Sequence, residues 1–335
     1  MATGVFEATL PGNATARPQG TLLYDMELPF RGTFHPLGFS VEILTNDPET
    51  LQAAEESFGH ISEGREATSL QIRIGISGGP DRVCPPEPTR REYNHLYSLV
   101  ADAENQALLD LKTCTAFAWL QKSTLKNRQY FRTNFLEKMV YLLLGASVVT
   151  DLHAACVSKE GKGILLCGHS GAGKSTLAYA CARSGWTYTS DDTSYLVNRS
   201  FPPRVIGHSH RVRFRPDARR LFPALVSYSV TPRMEGKPSI EIPISELPIL
   251  ATAREAEVHA IFYLRRHPYA TGSLVALPKG AATQRFKEEL FSAGDVRLQH
   301  EAILQDAFYN IATYELAYCD SEQAIRELDL LLPAI

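Results

Sequence analysis

Residues 168–175 constrain the fold of this chain more than any other feature of its sequence. They read Gly-His-Ser-Gly-Ala-Gly-Lys-Ser and fit the pattern G-x-x-x-x-G-K-[ST]. An apolar run at 164–167 precedes them, and a helical pattern begins near Lys174. A strand, a glycine-rich loop and a helix in this order cradle phosphate groups in α/β proteins. The pattern therefore predicts an α/β domain with an anion-binding loop.

Each residue type in this loop has a chemical reason. Glycines adopt backbone conformations with positive φ and let an anion approach closely. Successive N–H groups then point into one concavity, and the following helix adds its positive N-terminal end. We expect the Lys174 ammonium near the β- and γ-phosphates of a nucleotide, and the Ser175 hydroxyl in a Mg²⁺ shell. The predicted nucleotide-binding residues are Gly168, Ser170, Gly171, Ala172, Gly173, Lys174, Ser175 and Thr176.

Two acidic residues, Asp191 and Asp192, follow the next predicted strand. In such a position one carboxylate binds Mg²⁺, and the other accepts a proton from an attacking hydroxyl. On its own, an Asp-Asp-Thr sequence is more typical of a turn or a helix cap. The catalytic interpretation is favoured because the glycine-rich loop lies one helix before the pair. Asp191 is the predicted metal ligand beside Ser175.

Basic residues near the loop are further candidates. His153 lies before the loop in an apolar stretch, where a single histidine is more often structural than catalytic. Arg211, Arg213 and Arg215 share one face of a predicted strand, and guanidinium groups suit phosphate or carboxylate recognition. A solvated edge strand that carries charge explains the same pattern equally well. Arg213 and Lys237 are the predicted phosphate or substrate contacts.

Composition excludes several functional classes. The chain has 335 residues, 44% of them apolar and 21% charged, a balance typical of globular proteins. Its formal net charge of −3 argues against general nucleic-acid binding, which needs a basic surface. The longest apolar run, at 139–149, is too short for a bilayer span, which takes roughly 20 residues. The first residues lack the pattern of a signal peptide, so we expect a cytoplasmic protein without membrane contact.

Changes in pattern along the chain predict three parts. Residues 1–20 are polar, with Pro and Gly, and we expect a loose N-terminal arm. Residues 21–130 mix strand-like and helix-like patterns, which predicts a small α+β domain. Residues 131–335 contain the loop, and we expect them to form the catalytic domain.

Periodicity places the loop among strands and helices of that domain. A strand at 148–157 holds His153, and a tight turn at 161–163 is expected to pair it with the strand at 164–167. Further strands are predicted at 186–190, 195–197, 205–214, 240–244 and 258–264, and helices near 281–292, 299–314 and 321–331.

The order of these features resembles the catalytic domain of the HPr kinase/phosphorylase family. That family shows a strand with a histidine, a turn, an apolar strand, G-x-S-G-x-G-K-S, a helix, a glycine, and a strand that ends in Asp-Asp. This chain has, in that order, His153, Gly163, Gly168-His-Ser-Gly-Ala-Gly-Lys-Ser175, Gly185 and Asp191-Asp192. The resemblance covers residues 148–200 well and extends more loosely to residue 265.

The resemblance implies a phosphoenolpyruvate-carboxykinase-like P-loop fold with a mixed sheet. It also implies transfer of the γ-phosphoryl group of ATP to a serine hydroxyl. One of Asp191 and Asp192 would be the base while the other helps to hold Mg²⁺, and His153 would assist near the phosphates. The family is hexameric, so the resemblance is compatible with a homo-oligomer.

The chain also departs from the family pattern. The signature Glu-Ile-Arg-Gly-x-Gly is absent from the sequence, and residues 207–215 stand at a similar distance from the loop. Ala154 rather than a glycine follows His153, and the first 130 residues do not resemble the regulatory domain of the family. These departures argue against HPr as the substrate and against the reverse, phosphate-dependent reaction. They are similar to those of divergent relatives, among them kinases that modify the C-terminal serine of lasso-peptide precursors.

The leading hypothesis is therefore an ATP- and Mg²⁺-dependent serine kinase that acts on a protein or a peptide. An ATP-binding regulator without transferase activity and a small-metabolite kinase are the alternatives. The acid pair favours a kinase, because a pure nucleotide binder needs the loop but no base. No residue of the sequence identifies the acceptor.

Overall fold

A computed structural model of the chain describes residues 26–61, 70–79, 83–230, 238–247, 250–290 and 294–335. The chain divides into two compact units, Met1–Val148 and Val149–Ile335. The N-terminal arm predicted at residues 1–20 lies outside the described residues. Both units contain sheets with parallel and antiparallel strand pairs, so the chain is α/β with mixed sheets.

The first unit is built on a seven-stranded sheet with the order β1-β2-β3-β7-β6-β5-β4. Its strands are β1 (Phe30–Phe34), β2 (Val41–Thr45), β3 (Leu70–Ser77), β4 (Thr89–Tyr93), β5 (Leu96–Val100), β6 (Gln106–Asp110) and β7 (Thr115–Gln121). Its helices are α1 (Pro48–Phe58), α2 (Lys122–Lys126), α3 (Arg128–Phe131) and α4 (Glu137–Ser147). The Asp47 side chain caps α1, where it accepts a hydrogen bond from the Glu49 N–H.

Helix α4 belongs to the first unit, although the sequence places it in the catalytic domain. Its apolar side packs against β3 and β7, and Met139, Val140, Leu143 and Leu144 are fully buried. Burying these side chains ties the helix to the first sheet. The boundary predicted between residues 130 and 131 therefore lies inside the first unit, and the structure divides the chain after Val148.

The second unit contains the glycine-rich loop. Its strands are β8 (Val149–Leu152), β9 (Ala154–Lys159), β10 (Lys162–Cys167), β11 (Thr187–Ser190), β12 (Ser194–Val197), β13 (Arg204–Gly207), β14 (Arg211–Phe214), β15 (Ile240–Pro243), β16 (Glu255–Arg266), β17 (Ser273–Ala276) and β18 (Ala312–Tyr318). Its α-helices are α5 (Lys174–Arg183), α6 (Ala281–Glu289), α7 (Gly294–Phe308) and α8 (Ser321–Leu331). Strands β14 and β15 pair separately from the main sheet.

Strand β16 is the centre of the main sheet, which runs β11-β9-β10-β16-β13-β12-β8. Strand β18 pairs with the C-terminal half of β16, at residues 260–266, and β17 pairs with β18. Strand β16 pairs in parallel with both β10 and β18. Its residues 260–264 are all buried, because helices cover both faces of the sheet. Helices α5 and α8 pack on one face, and α6 and α7 pack on the other. The glycine-rich loop therefore leaves the sheet beside its most buried strand.

The strand patterns near the loop are confirmed, but two of the predicted strands are each divided. The strand predicted at 205–214 is two strands, β13 and β14, which lie in different sheets. Strands β9 and β10 form the predicted antiparallel hairpin, and its turn is Glu160-Gly161, at φ 54° and 79°. The single strand predicted at 148–157 is two strands, β8 and β9, with His153 at the break between them.

The helix predicted near 299–314 ends earlier than expected, because α7 stops at Phe308 and β18 follows. Residues of β18 such as Ala312, Glu315 and Leu316 favour helix by propensity, and parallel pairing with β16 overrides that preference. None of the helices in the described ranges is long and apolar enough to span a membrane.

A buried polar contact joins β8 to α7 within the second unit. The Thr150 hydroxyl donates to Asn198 Oδ1 at 2.8 Å and lies 2.8 Å from His300 Nδ1. A hydroxyl has one proton to donate, so Nδ1–H of His300 is assigned as the donor of the second bond. Burial lowers the pKa of His300 from its ordinary value.

We expect Thr150→Val to lower the unfolding free energy by about 1–3 kcal/mol, because two buried polar groups lose the hydroxyl between them. The control Thr150→Ser keeps the hydroxyl and should lose much less. Urea unfolding measures both, and equal losses in the two variants would contradict the hydrogen-bond explanation.

We also expect a specific pH dependence from His300. Because its pKa is lower in the folded state, the unfolded chain takes up the proton first as the pH falls. Its contribution to stability is complete above pH 6.5 and decreases as the pH falls below that value. The difference in unfolding free energy between the wild type and His300→Asn, measured from pH 8 to pH 5, should change in this direction. A difference that stays constant with pH would disprove the assignment.

Candidate phosphate-binding cavity

The loop between β10 and α5 requires glycine at three positions. Gly168, Gly171 and Gly173 have φ values of 144°, 94° and 98°, a region that side-chain-bearing residues rarely adopt. A Cβ on Gly173 would also lie 2.7 Å from the Tyr318 hydroxyl oxygen. The backbone of the loop therefore has its shape only because these positions carry no side chain.

Strand β18 contacts the loop through the side chain of its last residue, Tyr318. The Tyr318 hydroxyl, at the end of β18, donates to the Ala172 carbonyl at 3.0 Å. The tyrosine is 2% exposed, and burial raises its pKa to about 12, so the hydroxyl stays protonated and keeps donating at neutral pH. This contact fixes the backbone immediately before the first turn of α5.

Lys174 is a buried cation with specific partners. It is 5% exposed, and its ammonium donates to the Gly168 carbonyl at 2.6 Å and to His153 Nε2 at 3.0 Å. Burial lowers the pKa of Lys174, and the charge of Asp192 opposes that effect. An ammonium has three N–H donors. One of them binds the loop carbonyl of Gly168 and one binds His153. The third is available to a ligand in the cavity.

His153 connects this lysine to an acid. Since Nε2 accepts from Lys174, the ring proton is assigned to Nδ1, which lies 3.6 Å from Asp192 Oδ1. Burial and the charge of Lys174 lower the pKa of His153, while Asp192 raises it. A neutral imidazole between an ammonium and a carboxylate orients both groups. The break between β8 and β9 places the histidine at this point.

The two adjacent aspartates have different surroundings. Asp191 Oδ2 accepts a hydrogen bond from the Arg213 N–H at 2.7 Å, and the Asp191 carbonyl accepts one from the Ser175 hydroxyl at 3.1 Å. Burial raises the pKa of Asp191 to about 6. Asp191 thus joins the start of α5 to strand β14, whereas the side chain of Asp192 is 41% exposed and lies beside His153.

These residues surround a cavity of about 130 Å³. Its walls are formed by His153, Ser170, Gly171, Gly173, Lys174, Ser175, Thr176, Asp192, Phe214, Arg215, Asp217, Ala218, Leu221 and Arg266. The structure thus brings together most of the residues that the sequence predicts for the site. The predicted residues Gly168, Ala172, Asp191 and Arg213 support the cavity without lining it.

One predicted contact, Arg213, does not line the cavity. Arg213 Nε forms an ion pair with Glu241 Oε1 at 3.1 Å, so its side chain stabilises the β14–β15 pair instead of facing a phosphate. The predicted contact Lys237 lies outside the described residues.

Three charged residues of the cavity wall were not predicted as site residues. Arg215 and Asp217 follow β14, and Arg266 is the last residue of β16. Because β16 is parallel to β10, its carboxyl end lies at the same edge of the sheet as the loop. Ligands of α/β sheets bind at that edge, and this rule applied to the end of an apolar strand is the signal that identifies Arg266.

The cavity has the chemistry of an anion site with room for a divalent cation. Lys174, Arg215 and Arg266 supply positive charge, and the N-terminal end of α5 adds its unpaired N–H groups. Among the described residues, no group of three or more His, Cys, Asp and Glu side chains could hold a metal ion alone. Mg²⁺ commonly uses one or two carboxylates and completes its shell with phosphate oxygens and waters. Asp192, Asp217 and the Ser175 hydroxyl fit that pattern.

Comparisons with known proteins show a likeness to solved structures and to no family model or curated protein. No protein-family model matches the chain, and no curated protein matches it. Among solved structures, it is similar to the Hpr(Ser) kinase/phosphatase from Coxiella burnetii, with 12% sequence identity and a TM-score of 0.32. The match covers 55% of this chain and 92% of that one. At this TM-score the likeness assigns neither a family nor a function.

We expect Gly173→Ala to destabilise the second unit more than Gly185→Ala. Both glycines have positive φ, at 98° and 91°, so each substitution costs about 1–2 kcal/mol in the backbone. A Cβ at Gly185 meets nothing within 4 Å, whereas one at Gly173 meets the Tyr318 hydroxyl. The difference between the two variants, measured by urea unfolding, should shrink in a Tyr318→Phe background. An unchanged difference would show that Tyr318 does not restrict this position.

Proposed function

We propose that the second unit is an ATP-dependent phosphotransferase with a phosphoenolpyruvate-carboxykinase-like P-loop fold. It transfers the γ-phosphoryl group to a serine hydroxyl of a protein or peptide. One observation carries the proposal: a glycine-rich loop with a buried lysine shares its cavity with an exposed carboxylate, Asp192, that is linked to the lysine through His153. This combination supplies both a phosphate site and a proton acceptor.

The loop binds the phosphates in this proposal. The N–H groups at the start of α5 and the ammonium of Lys174 surround the β- and γ-phosphates, as in other strand–loop–helix sites. Gly168 and His153 hold the ammonium before the nucleotide arrives, so little reorganisation is needed on binding. The cavity volume of about 130 Å³ suits a phosphate chain, with the nucleoside extending outside it.

Mg²⁺ would be held by the Ser175 hydroxyl and by a carboxylate of Asp192 or Asp217 together with the nucleotide. When bound, it neutralises charge on the phosphate oxygens. Asp191, the metal ligand predicted from the sequence, is less suited, because its Oδ2 already accepts the Arg213 N–H.

Asp192 is the proposed general base. It lies in the cavity wall with a partly exposed side chain, where an incoming hydroxyl can reach it. The serine proton passes to Asp192 as the serine oxygen attacks the γ-phosphorus and the bond to the β-phosphate oxygen breaks. His153 lies beside this carboxylate, with 3.6 Å between its Nδ1 and Asp192 Oδ1. Most of the rate enhancement comes from positioning and charge neutralisation.

An ATP-binding regulator is the alternative from another functional class. It needs the loop and the lysine but no exposed acid in the cavity. The position of Asp192 therefore favours a transferase. The transfer assay described next tests the serine acceptor, and a small-metabolite kinase would give no phosphorylated serine in it.

We expect Asp192→Asn to abolish transfer while it keeps ATP binding. Loss of a general base reduces turnover by about 10²–10⁴-fold, and the affinity for ATP should change only a few-fold. The protein is incubated with labelled ATP and with candidate peptides or a cell lysate, and mass spectrometry locates the phosphorylated serines. Calorimetric titration with ATP measures binding.

Asp191→Asn is the matched control, because an asparagine oxygen can still accept the Arg213 N–H. This variant should retain most of the transfer activity. Transfer that persists in both variants would remove both acids from the mechanism. A wild type that binds ATP but transfers no phosphate would instead favour the regulator. Transfer lost only in Asp191→Asn would exchange the roles of the two acids.

A further inference from the structure

We infer that Arg215 and Arg266 form a clamp that binds the terminal phosphate of a nucleoside triphosphate, so that the cavity distinguishes a triphosphate from a diphosphate. The inference rests on the proposed function and adds the residues that select the nucleotide.

The partners of these two arginines set them apart from neighbouring arginines. Arg211 and Arg213 both pair with Glu241, and Arg265 pairs with Glu315 at 3.3 Å. In the described part of the chain, Arg215 instead donates to the Ser170 hydroxyl, and Arg266 Nε donates to the Cys319 carbonyl at 3.3 Å. Arg215 and Arg266 thus contact neutral oxygens, and neither of these two contacts involves a carboxylate.

Both arginines lie at the beginning of the loop. The carbonyl of Leu264, in β16, would lie 3.3 Å from a Cβ on Gly168, so the end of β16 runs directly beside the first loop residue. Arg266 follows two residues later and is held by β18 through the Cys319 carbonyl. It therefore reaches the cavity from the sheet side.

Arg215 reaches the cavity from a different element. It follows β14, whose Arg213 N–H is fixed by the Asp191 carboxylate. Its guanidinium contacts Ser170, the third residue of the loop. A ligand group between Ser170 and the end of β16 would thus meet a guanidinium from each of two independent strands.

The terminal phosphate is the part of a nucleotide that fits this position. The helix N-terminus, with Ser175 and Thr176, takes the inner phosphates, and Lys174 reaches the outer ones. The terminal phosphate would then lie at the beginning of the loop. A terminal phosphate carries the most charge and presents three oxygens, which suit the forked donors of arginine.

The electrostatics of the cavity agree with this assignment. Arg215 contributes to the lowered pKa of Lys174, because like charges repel, although burial is the larger cause. Lys174, Arg215 and Arg266 line the cavity together with two carboxylates, Asp192 and Asp217. An added anion relieves the repulsion among the three cations, and a terminal phosphate supplies the largest anionic charge available from a nucleotide.

The test compares ATP with ADP in Arg215→Gln, Arg266→Gln and the control Arg265→Gln. The control removes the same charge from the same strand end as Arg266→Gln, but its guanidinium pairs with Glu315 outside the cavity wall. Calorimetric titration in the presence of Mg²⁺ gives a Kd for each nucleotide. We expect each clamp variant to lose about 10-fold or more in ATP affinity, with ADP affinity changed less than about 3-fold, as for lost charge-assisted hydrogen bonds. Arg265→Gln should keep the wild-type ratio of the two affinities.

Two results would overturn the clamp. The first is an ATP-to-ADP affinity ratio that stays at the wild-type value in both clamp variants. If both affinities fall together, the arginines contact inner phosphates or the nucleoside. A wild type that binds the two nucleotides equally would also exclude it. In each of these cases the clamp is wrong, and the transfer assay tests the proposed transferase separately. A wild type that binds neither nucleotide would instead refute the proposed function, and the clamp with it. Arg215→Lys and Arg266→Lys keep the charge without the fork, and they should lie between the wild type and the glutamine variants.

Discussion

The buried charge of Lys174 is the constraint on which the rest of the cavity depends. An ammonium taken out of water is costly unless other groups replace its hydration. Gly168 and His153 supply that replacement. The loop must therefore turn back so that its first carbonyl faces the ammonium, and Nε2 of the imidazole must carry no proton. One electrostatic requirement thus sets the shape of the backbone, the tautomer of the histidine and the direction of the remaining donor.

The adjacent acids organise one wall of the cavity. The Asp191 carbonyl accepts a bond from the start of α5 and its carboxylate accepts one from β14, so this residue ties α5 to the segment that carries Arg215. Asp192, one residue later, points to the opposite environment and stays accessible. Two consecutive residues after β11 thus have different surroundings without any change in residue type.

The loop, its flanking strand and helix, and the acid at Asp192 could be predicted from the sequence, because local spacing encodes them. The contributions of Arg266 and Tyr318 could not, because they depend on which strands are neighbours in the sheet. Strand β18 follows a helix and carries helix-favouring residues, so only pairing with β16 reveals it. The separation of Asp191 from the cavity is likewise a tertiary effect, since its partner Arg213 lies on a distant strand.

The hydroxyl of Tyr318 that holds Ala172 has a consequence for biosynthesis. A ribosome completes the glycine-rich loop well before it adds β18, and domains take shape as they emerge. Until the last strand is inserted beside β16, the loop lacks its support and the wall lacks the Cys319 carbonyl that holds Arg266. The loop and Arg266 therefore take up the positions described here only after β18 has been synthesised.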